Sequence, residues 1–97
     1  MKFYTITYDL RQPGRNYSAL YDAIKELAGA GNWQHPMESF WVIAVCGNSY
    51  DSKEIFERLK KHIDANDSII VTQMNLSDYY GRSSRAMWDW ISENKNR

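Results

Sequence analysis

Residues 40–46, FWVIAVC, are apolar at every position, and this run restricts the fold more than any other stretch of the chain. Read as a strand, it turns Phe40, Val42 and Ala44 one way and Trp41, Ile43 and Val45 the other. Both faces of the sheet it enters must therefore be covered. The chain has 97 residues, enough for one domain with a single two-layer core and too few for two independent ones. Helices can cover one face. A second copy of the chain is the simplest cover for the other, with the tryptophan-bearing tail as the intramolecular competitor.

The rest of the chain supplies the remaining layers. Residues 2–9, KFYTITYD, alternate, with Tyr4, Ile6 and Tyr8 on one face and Phe3, Thr5, Thr7 and Asp9 on the other, which predicts a first strand. Pro13-Gly14 breaks it. Asn16 can then cap a helix whose apolar stripe is Tyr17, Leu20, Ala23, Ile24, Leu27 and Ala28, ended by Gly29 and Gly31. A short strand over 33–35, a turn over 36–39 and the long strand over 40–46 read as a hairpin, with Pro36 suited to a strand end or an edge. Asp51 and Glu54 have the spacing of a capping box for a second helix with the stripe Ile55, Phe56, Leu59 and Ile63, closed by the polar turn DAND at 64–67. IIVTQM, 69–74, is the last strand, and Ser83 or Ser84 caps a terminal helix carrying Met87, Trp90 and Ile91 on one side. The predicted fold is α+β: a ferredoxin-like βαββαβ sandwich with a four-stranded antiparallel sheet, a core over about residues 2–76 and a short C-terminal helix within the tail 77–97.

Composition excludes several function classes. Twelve Lys and Arg balance twelve Asp and Glu, so a protein that coats phosphate backbones by bulk charge is not expected and any nucleic-acid site is local. The one cysteine, Cys46, has no partner for an intramolecular disulfide, fits a reducing cytosol and is expected to act as a small hydrophobe in its apolar run. The N-terminal stretch lacks a signal-peptide pattern, and no run approaches the roughly 18 apolar residues of a membrane span, so a soluble cytoplasmic protein without a membrane role is expected.

The chemistry-bearing residues are few. By strand parity Asp9 points to the side where a partner would pack, and two such carboxylates near a two-fold axis call for a hard cation such as Mg²⁺ between them. The other reading of Asp9 is a turn carboxylate that accepts backbone N–H bonds. Arg11 and Arg15 flank Pro13-Gly14, where their guanidinium forks suit phosphate oxygens, unless they are simply solvated. His35 and His62 are too isolated for a zinc site, no Ser or Cys is arranged with them as a nucleophile, and there is no Gly-rich phosphate loop. In the tail, Arg82 and Arg85 beside Trp88 and Trp90 read either as a stacking platform for a single strand or as aromatics packed on the open sheet face.

Taken together, a first strand ending in Tyr8-Asp9, an Arg-containing turn into a helix, the hairpin segment QHPMESF (34–40), a second helix and the strand IIVTQM resemble the CRISPR-associated protein 2 family and its relatives, among them the VapD-type ribonuclease toxins. The resemblance covers roughly residues 2–76. It implies a ferredoxin-like homodimer in which the first-strand aspartates of both chains lie at the interface and hold a divalent metal for phosphodiester cleavage. In CRISPR adaptation the same dimer binds duplex DNA as a structural bridge. Carried over, Asp9 is the implied metal ligand and catalytic residue, with Arg11 and Arg15 as nucleic-acid contacts. The expected activity is a Mg²⁺-dependent endonuclease that prefers RNA to DNA. The alternative is a non-catalytic dimeric module that binds a protein or a nucleic acid.

Overall fold

A computed structural model describes residues 1–11, 17–46 and 50–95. The elements run β1 (Lys2–Asp9), α1 (Ser18–Ala28), β2 (Trp33–Met37), β3 (Phe40–Val45), α2 (Ser52–Leu59), a 3₁₀ turn (Lys60–His62), β4 (Ser68–Gln73) and α3 (Arg85–Asn94). The four strands form one antiparallel sheet in the order β2-β3-β1-β4, an arrangement consistent with the ferredoxin-like expectation. No helix among the described residues is long and apolar enough to cross a membrane.

Local chemistry explains most boundaries. Gly29 ends α1 at φ 90°, in the left-handed region open to glycine, and its N–H donates to the Lys25 carbonyl at 2.8 Å. The expected turn at Pro13-Gly14 and the cap at Asn16 lie outside the described residues. Asp51 caps α2 as its spacing predicts, its Oδ1 accepting the Glu54 N–H at 2.8 Å, and Ile55 and Leu59 are buried beneath it. The stripe ends there: the 3₁₀ turn intervenes, and Ile63 packs on the core from extended backbone instead of a helical turn. Ser84, not Ser83, caps α3 by accepting the Met87 N–H at 3.2 Å.

Three expectations need correcting in detail. β2 runs on through Pro36 to Met37, leaving Glu38 and Ser39 as the turn, because β2 is an edge strand and a register shift between Gln34 and Met37 absorbs the missing donor. β4 starts at Ser68, opposite Asp9, one residue early. Cys46 is exposed instead of buried with its apolar neighbours: β3 stops at Val45, whose partner Lys2 is the first residue of β1, so the ladder has run out.

The two faces of the sheet carry two cores. Tyr4, Ile6 and Tyr8 join Trp41, Ile43 and Val45 beneath Leu20, Ile24, Ala28, Ile55 and Leu59 of α1 and α2. On the opposite face, Phe3, Val42 and Ala44 are buried by Met87, Trp90 and Ile91 of α3. The strand parities read from the sequence therefore hold. The tail, and not a second copy, covers this second face at the Phe3 end. The Phe3 and Trp90 rings meet at 5.3 Å between centroids, and the Trp90 Nε1–H donates to the Gly31 carbonyl at 2.7 Å. Burying a large apolar side chain is worth about 1.5–3 kcal/mol, so α3 belongs to the fold. Its cover stops there. Towards the Asp9 end, the cross-strand row Met37, Phe40, Thr7, Ile70 remains open, with Met37 57% and Ile70 65% exposed.

Candidate functional site

Asp9 sits at the end of β1, on the face away from α1 and α2, opposite Ser68 of β4. Its side chain is 71% exposed, and among the described residues its recorded partner is Arg11, whose Nε lies 3.4 Å from Asp9 Oδ2. An ion pair this exposed contributes about 0–1 kcal/mol and opens readily. Asp9 is thus a carboxylate with accessible oxygens.

A second carboxylate, Asp67, binds backbone at the start of the turn after β1. Asp67 Oδ1 accepts the Arg11 N–H at 2.8 Å, and its Oδ2 accepts the Asp64 N–H at 2.9 Å, while the Asp67 N–H returns to the Asp64 carbonyl at 3.0 Å. Asp67, from the turn before β4, thus satisfies a backbone donor just after β1, while the following turn residues on which the turn reading of Asp9 rests lie outside the described residues. The sequence signal was the Asp-x-x-Asp spacing of DAND, read only as a helix stop. Asp9 and Arg11 come together as an exposed ion pair, and Arg15 lies outside the described residues.

Behind Asp9, on the core side, an aromatic group holds the strand end still. The Trp41 Nε1–H donates to the Tyr8 hydroxyl at 2.9 Å, and that hydroxyl donates to the Glu38 carbonyl at 2.7 Å. The same carbonyl accepts from His35 Nε2 at 3.0 Å, which requires the tautomer protonated there. The His35 ring stacks on Trp41 at 3.9 Å and 13°. Burial pushes the Tyr8 phenol well above its ordinary range, so it stays neutral and cannot serve as a base near neutral pH. His35, too isolated in sequence for a metal-ligand spacing, is a packing element of this group.

The remaining candidates divide. Trp90 is buried and Trp88 lies nearly parallel to Tyr79, at 6.3 Å and 16°, so the tail aromatics mostly pack. Arg85 pairs loosely with Asp89 at 3.8 Å. A groove of about 470 Å³ on this side is lined by Met37, Phe40, Asp78, Arg82 and Trp88. No group of three or more His, Cys, Asp and Glu side chains among the described residues could hold a metal ion. Any hard cation at Asp9 would draw on a second chain for its other carboxylate, which the accessible position of Asp9 permits.

No protein-family model matches the chain, and no solved structure matches it.

Proposed function

We propose that the chain is a cytosolic, ferredoxin-like homodimer of the CRISPR-associated protein 2 and VapD type that cleaves phosphodiester bonds, in RNA ahead of DNA. The β-α-β-β-α-β element order and the sheet order β2-β3-β1-β4 support the fold assignment. The observation that carries the activity is the position of Asp9: exposed, on the sheet face away from α1 and α2, beyond the cover of α3, with Arg11 as a dissociable partner.

Two Asp9 carboxylates brought together by a dimer, with water completing the shell, form a donor set suited to Mg²⁺. Were Mg²⁺ held there by the two Asp9 carboxylates, it would supply an activated water and neutralise charge developing on the scissile phosphate. The chain's own residues do the rest. Arg11, released from Asp9, offers a guanidinium fork to phosphate oxygens. Asp67 holds the Arg11 backbone, and the Tyr8–Trp41–His35 group holds the end of β1 that presents Asp9.

The test is cleavage of single-stranded RNA, duplex RNA and duplex DNA with Mg²⁺ or Mn²⁺ by the wild type and by Asp9→Asn. The alternative is a non-catalytic dimeric binding module for protein or nucleic acid. It predicts binding without cleavage in the same assay.

A further inference from the structure

We propose that the groove lined by Phe40, Tyr79, Tyr80 and Trp88 is a base-binding subsite that holds a guanine of the RNA near Asp9, an inference that rests on the nuclease reading and names the base it selects. The walls suit a flat ligand. Tyr79 and Trp88 lie nearly parallel, at 6.3 Å and 16°, and Tyr80 is fully exposed, so rings are at hand for a base to stack on. A volume of about 470 Å³ falls within the range of small-ligand sites. The location fits too. Phe40 is opposite Thr7, and Asp9 lies two residues further along β1 on the same face, about 7 Å on at the rise of a strand.

The polar groups select the base. Asp78 and Arg82 both line the groove, and neither forms an ion pair among the described residues. Asp78 stands on a hydrogen-bonded turn, where the Asn75 carbonyl accepts the Asp78 N–H at 3.2 Å and Asn75 Oδ1 accepts the Ser77 N–H at 2.9 Å. The opposite charges cancel, so the pair favours a neutral ligand with donors on one edge and acceptors on another. Guanine is such a base: N1–H and N2–H stand side by side for a carboxylate, and O6 and N7 side by side for a guanidinium. Adenine, cytosine and uracil each present a single donor group on the pairing edge with an acceptor beside it, and that acceptor repels Asp78.

Nucleotide titrations test this. GMP, AMP, CMP and UMP share one phosphate and differ in the base, and their binding is measured by calorimetry to the wild type, Asp78→Asn, Arg82→Ala and Trp88→Leu, with circular dichroism to establish folding. The wild type should bind GMP at least about tenfold more tightly than the other three. Asp78→Asn, at an exposed position outside both cores, should stay folded and lose that preference. Arg82→Ala should weaken GMP about tenfold, and Trp88→Leu should weaken all four nucleotides together. Equal affinity of the wild type for the four, no binding at millimolar concentration, or a guanine preference that survives Asp78→Asn would overturn the proposal. Cleavage of a uridine oligomer carrying a single guanosine separates the two claims. Cuts placed beside the guanosine by the wild type and spread along the oligomer by Asp78→Asn support both. A GMP preference lost in Asp78→Asn without metal-dependent cleavage overturns the nuclease reading alone. Evenly spread cleavage by a wild type without guanine preference overturns this subsite alone.

Discussion

The Trp90 indole donates to the Gly31 carbonyl at 2.7 Å and thereby ties the terminal helix to the loop between α1 and β2. Gly31 sits at φ 79°, a backbone conformation that glycine adopts without strain. Trp90→Phe keeps most of the ring's packing on Phe3 and removes the donor, so it should cost about 1 kcal/mol, read as a lowered midpoint in urea unfolding.

Removing the whole helix is a harsher change. Deletion of residues 84–97 would uncover Phe3, Val42 and Ala44 and discard Met87, Trp90 and Ile91. The expected loss is several kcal/mol, about 1.5–3 for each large side chain that loses its burial, with greater dye binding to exposed apolar surface. A thermal midpoint equal to that of the full chain would show that α3 is not part of the folded core.

Asp67 joins two turns, accepting the N–H groups of Arg11 and Asp64. Asp67→Ala should cost about 1 kcal/mol through the loss of two hydrogen bonds whose donors water can reach, and should loosen the segment after β1. Hydrogen exchange at the Arg11 amide is the direct readout, and it should speed up in the variant while the amides of β3 stay protected.

Much of this was legible in the sequence, for reasons that vary by residue. The parity of β1 was readable because Tyr4, Ile6 and Tyr8 alternate with Thr5, Thr7 and Asp9, and Asp51 because a cap acts within three residues of itself. What depended on distant partners was not readable. Cys46 is exposed because Lys2 has no preceding strand residue to extend the ladder, and Pro36 stays in β2 because nothing pairs with that edge among the described residues. The cover on Phe3 and Val42 was left open between the tail and a second copy, since apolar surface specifies burial but not the identity of what buries it. At the site, the face to which Asp9 points was legible from strand parity. Asp67 was not, because its hydrogen bond to Arg11 spans 56 positions of chain.

The Tyr8 phenol gives a pH signature. Its proton is held above the ordinary value of 10.0, chiefly by burial, and Tyr4 shifts the same way for the same first reason. With the folded value above the unfolded one, the stability from the neutral phenols is fully present below pH 10 and declines as the unfolded chain ionises above it. Stability should therefore be flat from pH 8 to about 9.5 and fall beyond it. Tyr8→Phe should start lower, having lost the hydrogen bonds to Trp41 and Glu38, and should fall less steeply in alkali. Equal slopes for the two proteins in pH-dependent urea titrations would contradict this.

The most direct measurement is metal-dependent cleavage by Asp9→Asn beside the wild type, on single-stranded RNA, duplex RNA and duplex DNA. Asparagine keeps the shape of the side chain and removes its charge, and the exposed pair with Arg11 contributes at most about 1 kcal/mol, so the variant should remain folded. The predicted result is Mg²⁺-dependent cleavage of RNA by the wild type and its loss in Asp9→Asn, with stability changed by no more than about 1 kcal/mol. Pure wild type that shows no cleavage absent from the variant, on any of the three substrates with Mg²⁺ or Mn²⁺, would contradict the nuclease assignment.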